Sequence, residues 1–158
     1  MKILIKSRSD IEIMANKPFR QKTALISITD YGWTFAELKH KPDYLLQLAF
    51  DDVDNDIFID EVGRNLTKNE HIKIENKYHM ISDDQAKQIS EFYNNVRDKV
   101  DILICQCEHG QSRSAAVAAA ILEYNCRKGI FVFAHDKYYP NKIVFKKVLS
   151  QLKNNSKE

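Results

Sequence analysis

The 158-residue chain carries 24 Lys and Arg against 22 Asp and Glu, a formal charge of +2, with 44% hydrophobic residues. The length fits one domain with a real core, and the mixed charge carries no lopsided field that would select nucleic acid or membrane lipid as a partner. No apolar run approaches the ~20 residues that cross a bilayer, "MKILIKSRSD" lacks the apolar core of a signal peptide, and three cysteines form no disulfide framework. The expectation is a soluble, cytoplasmic protein.

In chain order, "MKILIKS" and "TALISIT" read as strands from their apolar and β-branched content. Between them "SRSDIEIMANKPF" reads as a short helix that Pro18 ends. "DYLLQLAF" is a third strand. The polar stretch "DDVDNDIFIDEVGRNLTKNEHIKIENKYHM" follows, with only short apolar pieces such as "HIKI", and reads as a long excursion with a hairpin. Ser82 and Gln85 then stand in capping-box spacing at the start of a helix that presents Ala86, Ile89, Phe92, Tyr93 and Val96 on one face.

"VDILICQC" is nearly continuous in apolar residues, as a buried central strand is. The segment from Arg113 to about Tyr124 is alanine-rich and apolar all round, which predicts a helix buried between the sheet and other helices. "PNKIVFKKVLSQL" closes the pattern as an amphipathic helix with Ile143, Val144, Val148, Leu149 and Leu152 inward. Strands alternating with helices predict a three-layer α/β sandwich with a central, mostly parallel sheet flanked by helices. Without repeat or linker, the chain reads as a single domain over 1–158, with 152–158 as a flexible tail.

The loop "CEHGQSRS" hands a central strand over to a helix N-terminus, where α/β sheets bind ligands and where anions are favoured. A loop of this length can turn its backbone N–H groups inward, and Gly110 supplies the positive φ that such a concavity needs. Arg113 on the first helical turn offers a planar fork to two oxygens of one phosphate. At the floor of that cradle, the N–H groups, the helix dipole and the arginine all favour a thiolate at Cys107, an in-line nucleophile under a bound phosphate.

Cys107, five residues, Arg113 and Ser114 resemble the CX5R signature loop of the cysteine-based protein tyrosine phosphatase superfamily. The preceding apolar strand, the Ser-Ala-rich helix and the late "YYPNKIVFKKVLSQL" extend the resemblance, in its dual-specificity-phosphatase-like branch, over roughly the last half of the chain. The resemblance implies Cys107 as the nucleophile that forms a cysteinyl-phosphate, Arg113 as the clamp on the phosphate and Ser114 as the hydroxyl that helps the sulfur leave. It further implies a phosphate cradle of Glu108, His109, Gly110, Gln111, Ser112 and Arg113, with no metal and no cofactor. "LLQLAFDDV" resembles the family's acid loop and gives Asp52 the general-acid position, with Asp51 as the near alternative and Asp83 and Asp84 as rivals. Two departures stand out: the excursion from Asp54 to Met80 lengthens the gap to Cys107, and Gln106 stands where the family usually has histidine.

Other patterns lead elsewhere. The D-x-D-x-D spacing from Asp52 resembles a calcium loop, but Ile57 and Gly63 occupy the positions where an EF-hand needs glycine and a bidentate acid. Cys105, Cys107 and His109 make a poor tetrahedral set without a second cluster downstream. Cys105 and Cys126 read as packed residues, either of them a partner that would trap Cys107 as a disulfide under oxidation. Tyr31, Trp33 and Phe35 read as core or loop packing, with the mouth of the site as the alternative.

The implied activity is hydrolysis of phosphotyrosine, with phosphoserine and phosphothreonine as further targets, in phosphorylated proteins or small phosphomonoesters. Glu108 and the lack of lysines in the loop set inositol lipids and RNA triphosphate ends behind these. The alternative of a different class is a catalytically weak or inactive phosphoprotein-binding module of the same fold, which Gln106 and the acid spacing keep open. A rhodanese-type sulfurtransferase fits Arg113 and Ser114 less well. The sequence leaves the oligomeric state open.

Overall fold

The computed structural model describes residues 1–53 and 67–154. Four strands, β1 (Lys2–Lys6), β2 (Thr23–Thr29), β3 (Tyr44–Ala49) and β4 (Ile102–Gln106), form a sheet in the order β1-β4-β2-β3. All three pairings are parallel, with Ile5 and Ile26 both in register with Cys105. A parallel strand inside such a sheet is covered on both faces, and every residue of β2 is buried.

Side chains alternate across the sheet. Ala24, Ile26, Ile28, Leu103 and Cys105 join the main core with the long helices, whereas Leu25 and Ile104 pack on the other face against Ile11 of α1 (Arg8–Met14) and Ala36. Helices α3 (Asp83–Val96), α4 (Arg113–Cys126) and α6 (Lys142–Asn154) build the main side, and α5 (Ile130–Phe133) leans on α4. The first nine residues of α4 are all buried, and five of them are alanines, which lets the helix lie against both sheet and α6. The result is the three-layer α/β sandwich that the sequence predicts.

The capping box of Ser82 and Gln85 is present, and α3 buries Ala86, Ile89, Tyr93 and Val96 with Phe92 partly covered. α1 stops at Met14, before Pro18, so the proline is not its terminator. The expected hairpin around "HIKI" is instead the helix α2 (Lys68–Lys77), opened by a capping box of Thr67 and Glu70. α2 buries no residue; Lys147 of α6 bridges it to α3 by pairing with Glu75 at 2.5 Å and Asp83 at 3.0 Å. The part of the excursion at 54–66, with most of the calcium-like spacing, lies outside the described residues.

The expected tail also begins too early. α6 runs to Asn154 and Leu152 is fully buried, because the apolar stripe persists to that turn, while 155–158 lie outside the described residues. Cys126 is exposed at the end of α4 rather than packed, and helical rise puts it roughly 20 Å from Arg113, too far for a disulfide with Cys107. Among the described residues, no helix is long and apolar enough to cross a membrane.

Candidate active site

The segment from Cys107 to Arg113 leaves β4 at the carboxyl end of the sheet, beside the ends of β1 and β2. Its start is braced by Gln106, which is buried and accepts a 2.6 Å hydrogen bond from Ser27 of β2 through Oε1. The glutamine thus ties the loop's entrance to the neighbouring strand. On the other side the Cys107 amide donates to the Lys6 carbonyl and the Arg8 amide to the Glu108 carbonyl.

Gly110 has φ +66°, and a Cβ there would lie 2.6 Å from the Ser7 amide nitrogen and 2.7 Å from the Lys6 carbonyl carbon. Only glycine satisfies both the left-handed backbone and the close approach to β1. The amides of Tyr139 and Asn141 donate to the carbonyls of Gln111 and Ser112, so the loop's oxygens are drawn outward. Among the described residues, no amide from Glu108 to Ser112 donates to another group, which leaves five N–H donors open to an anion.

The helix end adds to this. Ser112 stands at the N-cap of α4 yet makes no side-chain cap. Its hydroxyl donates to Asp52 Oδ1 at 2.8 Å, so the first amides of α4 keep their unsatisfied positive end. Cys107, 2% exposed, has Sγ 3.0 Å from Oγ of the fully buried Ser114.

Arg113 is 3% exposed. Its Nη1 donates to the Phe50 carbonyl and pairs with Asp30 Oδ1, both at 2.6 Å. Its Nε lies 4.0 Å from Asp52 Oδ2 and is a buried donor without an acceptor. Leaving such a donor unmade costs about 1–3 kcal/mol, so the site is built to receive an oxygen at that edge of the fork.

Asp52 stands over the loop through three side chains: Ser112, Arg113 and Asn141, whose Nδ2 donates 2.8 Å to Asp52 Oδ1 and 2.9 Å to the Val53 carbonyl. The same Asn141 accepts from the amides of Ile143 and Val144 and so caps α6. Asp51 lines the same cleft, accepting from the Tyr31 amide at 2.8 Å. Asp83 pairs with Lys147 and Asp84 bonds Gln88, so neither rival shares the contacts of Asp52.

The cleft wall is formed by Asp30, Tyr31, Trp33, Asp51, Asp52, Glu108, His109 and Arg113. Tyr31 and Trp33 are 57% and 69% exposed and line the cleft, so they belong to the site mouth and not to the core; Phe35 is half-buried. Of the expected cradle, Glu108, His109 and Arg113 face the cleft, Gly110 is buried against the end of β1 and Gln111 is exposed. Cys105 is fully buried, and burial pushes its thiol up to about 12, which keeps it neutral. Among the described residues no three His, Cys, Asp or Glu side chains gather as a metal site.

Sequence reasoning missed Asp30 and Arg8. Asp30 follows β2 directly, and the rule that ligands bind at the carboxyl ends of strands points to it as it does to Cys107. Arg8 donates through Nε to Glu108 Oε2 at 2.9 Å and through its other nitrogens to the Phe35 and Thr34 carbonyls and Thr29 Oγ1, locking the loop to the 29–35 segment.

No family profile matches the chain, and no curated protein is a significant relative. Solved structures do resemble it. Human DUSP28 is 14% identical with a TM-score of 0.53, the alignment covering 98% of this chain and 94% of that one. Tk-PTP in its active form is 16% identical with a TM-score of 0.51, covering 98% and 92%. The chain therefore has the fold of the cysteine-based protein tyrosine phosphatase superfamily in its dual-specificity-phosphatase-like form.

Proposed function

We propose that the chain is a cysteine-dependent phosphomonoesterase acting on phosphotyrosine, with phosphoserine and phosphothreonine as secondary targets. The observation that carries the reading is the buried, acceptor-less Nε of Arg113 beside a loop of unpaired amides and a thiol 3.0 Å from a serine hydroxyl. An oxyanion is the ligand that such a donor set lacks.

In the first step the Cys107 thiolate attacks phosphorus in line, forming the S–P bond as the P–O ester bond breaks. Arg113 Nε and the amides of the loop hold the non-bridging oxygens. Asp52 gives its proton to the departing oxygen. In the second step water attacks phosphorus and yields its proton to the Asp52 carboxylate, the S–P bond breaks, and Ser114 donates a hydrogen bond to the leaving sulfur. Inorganic phosphate departs and the thiolate is restored. Neither step calls for a metal or cofactor.

The test is hydrolysis of p-nitrophenyl phosphate and of phenyl phosphate, whose leaving group needs a proton, across pH in EDTA by the native protein, Cys107→Ser and Asp52→Asn. The reading expects metal-independent turnover, abolished in Cys107→Ser and reduced by about 10²–10⁴ in Asp52→Asn for substrates with poor leaving groups. A native protein that binds vanadate but turns nothing over belongs to the alternative, a phosphoprotein-binding module, and thiosulfate sulfurtransferase activity overturns both.

A further inference from the structure

We infer that the cleft selects phosphotyrosine set in a basic stretch of peptide; the inference rests on the phosphotyrosine reading above and adds the charge of the flanking sequence. Four carboxylates, Asp30, Asp51, Asp52 and Glu108, line one cleft together with Arg113 and His109. Asp30 already occupies the Nη1 of that guanidinium, and Asp52 lies 4.0 Å from its Nε. Arg8 offsets the charge of Glu108 and spends its other donors on the Thr34 and Phe35 carbonyls and Thr29, so the four carboxylates still outnumber the two arginines, also when Asp52 holds the proton it donates. Asp51 accepts from the Tyr31 amide and has no ion pair among the described residues.

A phosphate drawn to the open Nε of the buried Arg113 thus enters a rim with surplus negative charge. A substrate that carries its own positive charges beside the phosphate meets attraction there, and an acidic peptide or a polyphosphate meets repulsion. The aromatic residues fit the same substrate. Tyr31 is held by a 3.7 Å stack on His79, and it and Trp33 stay exposed at the rim, where they offer faces to a phenyl ring and to Lys or Arg side chains. Carboxylates alternating with exposed aromatics around the oxyanion cradle suit a cationic peptide carrying an aromatic phosphate.

The experiment compares two phosphotyrosine peptides that differ only in having Lys or Glu at the positions flanking the tyrosine. kcat/KM is measured with the native protein at low and high salt, and Kd is measured by fluorescence anisotropy with native protein and Cys107→Ser. The Lys peptide is expected to be favoured about tenfold at low salt, the ratio narrowing as salt screens the rim. Asp51→Asn, which keeps the acceptor for the Tyr31 amide and removes the charge, is expected to cut the ratio by about threefold. Equal constants for the two peptides, preference for the Glu peptide, or no binding of either overturns the inference. If the native protein binds but hydrolyses neither, the phosphatase reading fails while the order of the two Kd values still decides the selectivity.

Discussion

Asn141 joins two jobs in one amide, and separating them tests the arrangement of the acid. The side chain is buried; its oxygen caps α6 through the amides of Ile143 and Val144, while its nitrogen holds Asp52 and the Val53 carbonyl. Asn141→Ala removes an N-cap, at about 1 kcal/mol. It also removes two hydrogen bonds, one to a carboxylate that is a third exposed, together about 2 kcal/mol. The sum of ~3 kcal/mol lowers Tm by about 6–12 °C for a chain of this size. Asn141→Ser keeps a capping oxygen and loses the reach to Asp52, so it recovers about 1 kcal/mol of that loss.

The kinetic effect does not track the stability. Both variants free Asp52 from one of its holds, and both are expected to lower kcat by about 10-fold or more on phenyl phosphate, whose leaving group needs a proton. On p-nitrophenyl phosphate, whose phenolate leaves readily, the loss stays within about threefold. The assays are thermal unfolding and initial rates on the two esters side by side. If Asn141→Ser regains stability and slows both esters equally, or slows neither, Asn141 serves only as a helix cap and Asp52 does not depend on it.

Ser114→Ala removes the hydroxyl 3.0 Å from the sulfur, so the second step slows more than the first, and stopped-flow traces should show a burst followed by a slower steady state; a uniform loss without a burst contradicts its role toward the leaving thiolate. Gly110→Ala forces φ +66° on a residue with a Cβ and drives that Cβ into β1, which should destabilise the fold by about 2–4 kcal/mol and abolish vanadate binding, read by urea unfolding and by ligand titration. Burial raises the Cys105 thiol from 9.0 to about 12 and also raises the Tyr93 hydroxyl. Groups raised in the folded state stabilise it fully below their unfolded values and lose that contribution as pH climbs, so the urea midpoint should fall between about pH 9 and 12, and Cys105→Ala should flatten part of that fall. An unchanged slope in Cys105→Ala would refute the assignment.

The parts of this fold that bury a regular stripe were legible in the sequence. β2 and β4 carry mostly apolar runs, α3 and α6 show the helical period, and Ala86, Ile89, Tyr93, Val96, Val144, Val148 and Leu152 are buried as those patterns predict. α2 escaped because it buries nothing and so has no stripe to read; its one local sign is the Thr67–Glu70 capping box. The loop from Cys107 to Ser114 was legible because its chemistry is local, a strand, a glycine and a helix start within a few residues. Asp30 and Arg8 were not, since what they hold depends on β1 and β2 flanking β4 in the sheet, and Arg8 meets Glu108 across a separation of 100 residues. Tyr31 and Trp33 were misjudged because aromatic content alone favours the core, whereas the cleft beside Arg113 keeps them at its rim.

The central question is whether the Cys107 sulfur becomes phosphorylated during turnover. Rapid acid quench of the native protein with a phosphotyrosine substrate, followed by peptide mass spectrometry, answers it directly. A phosphoryl group on the peptide holding Cys107, enriched in Ser114→Ala and missing in Cys107→Ser, is the expected result. Continued hydrolysis with no phosphoryl group on that peptide, or with one on another residue, would contradict the mechanism.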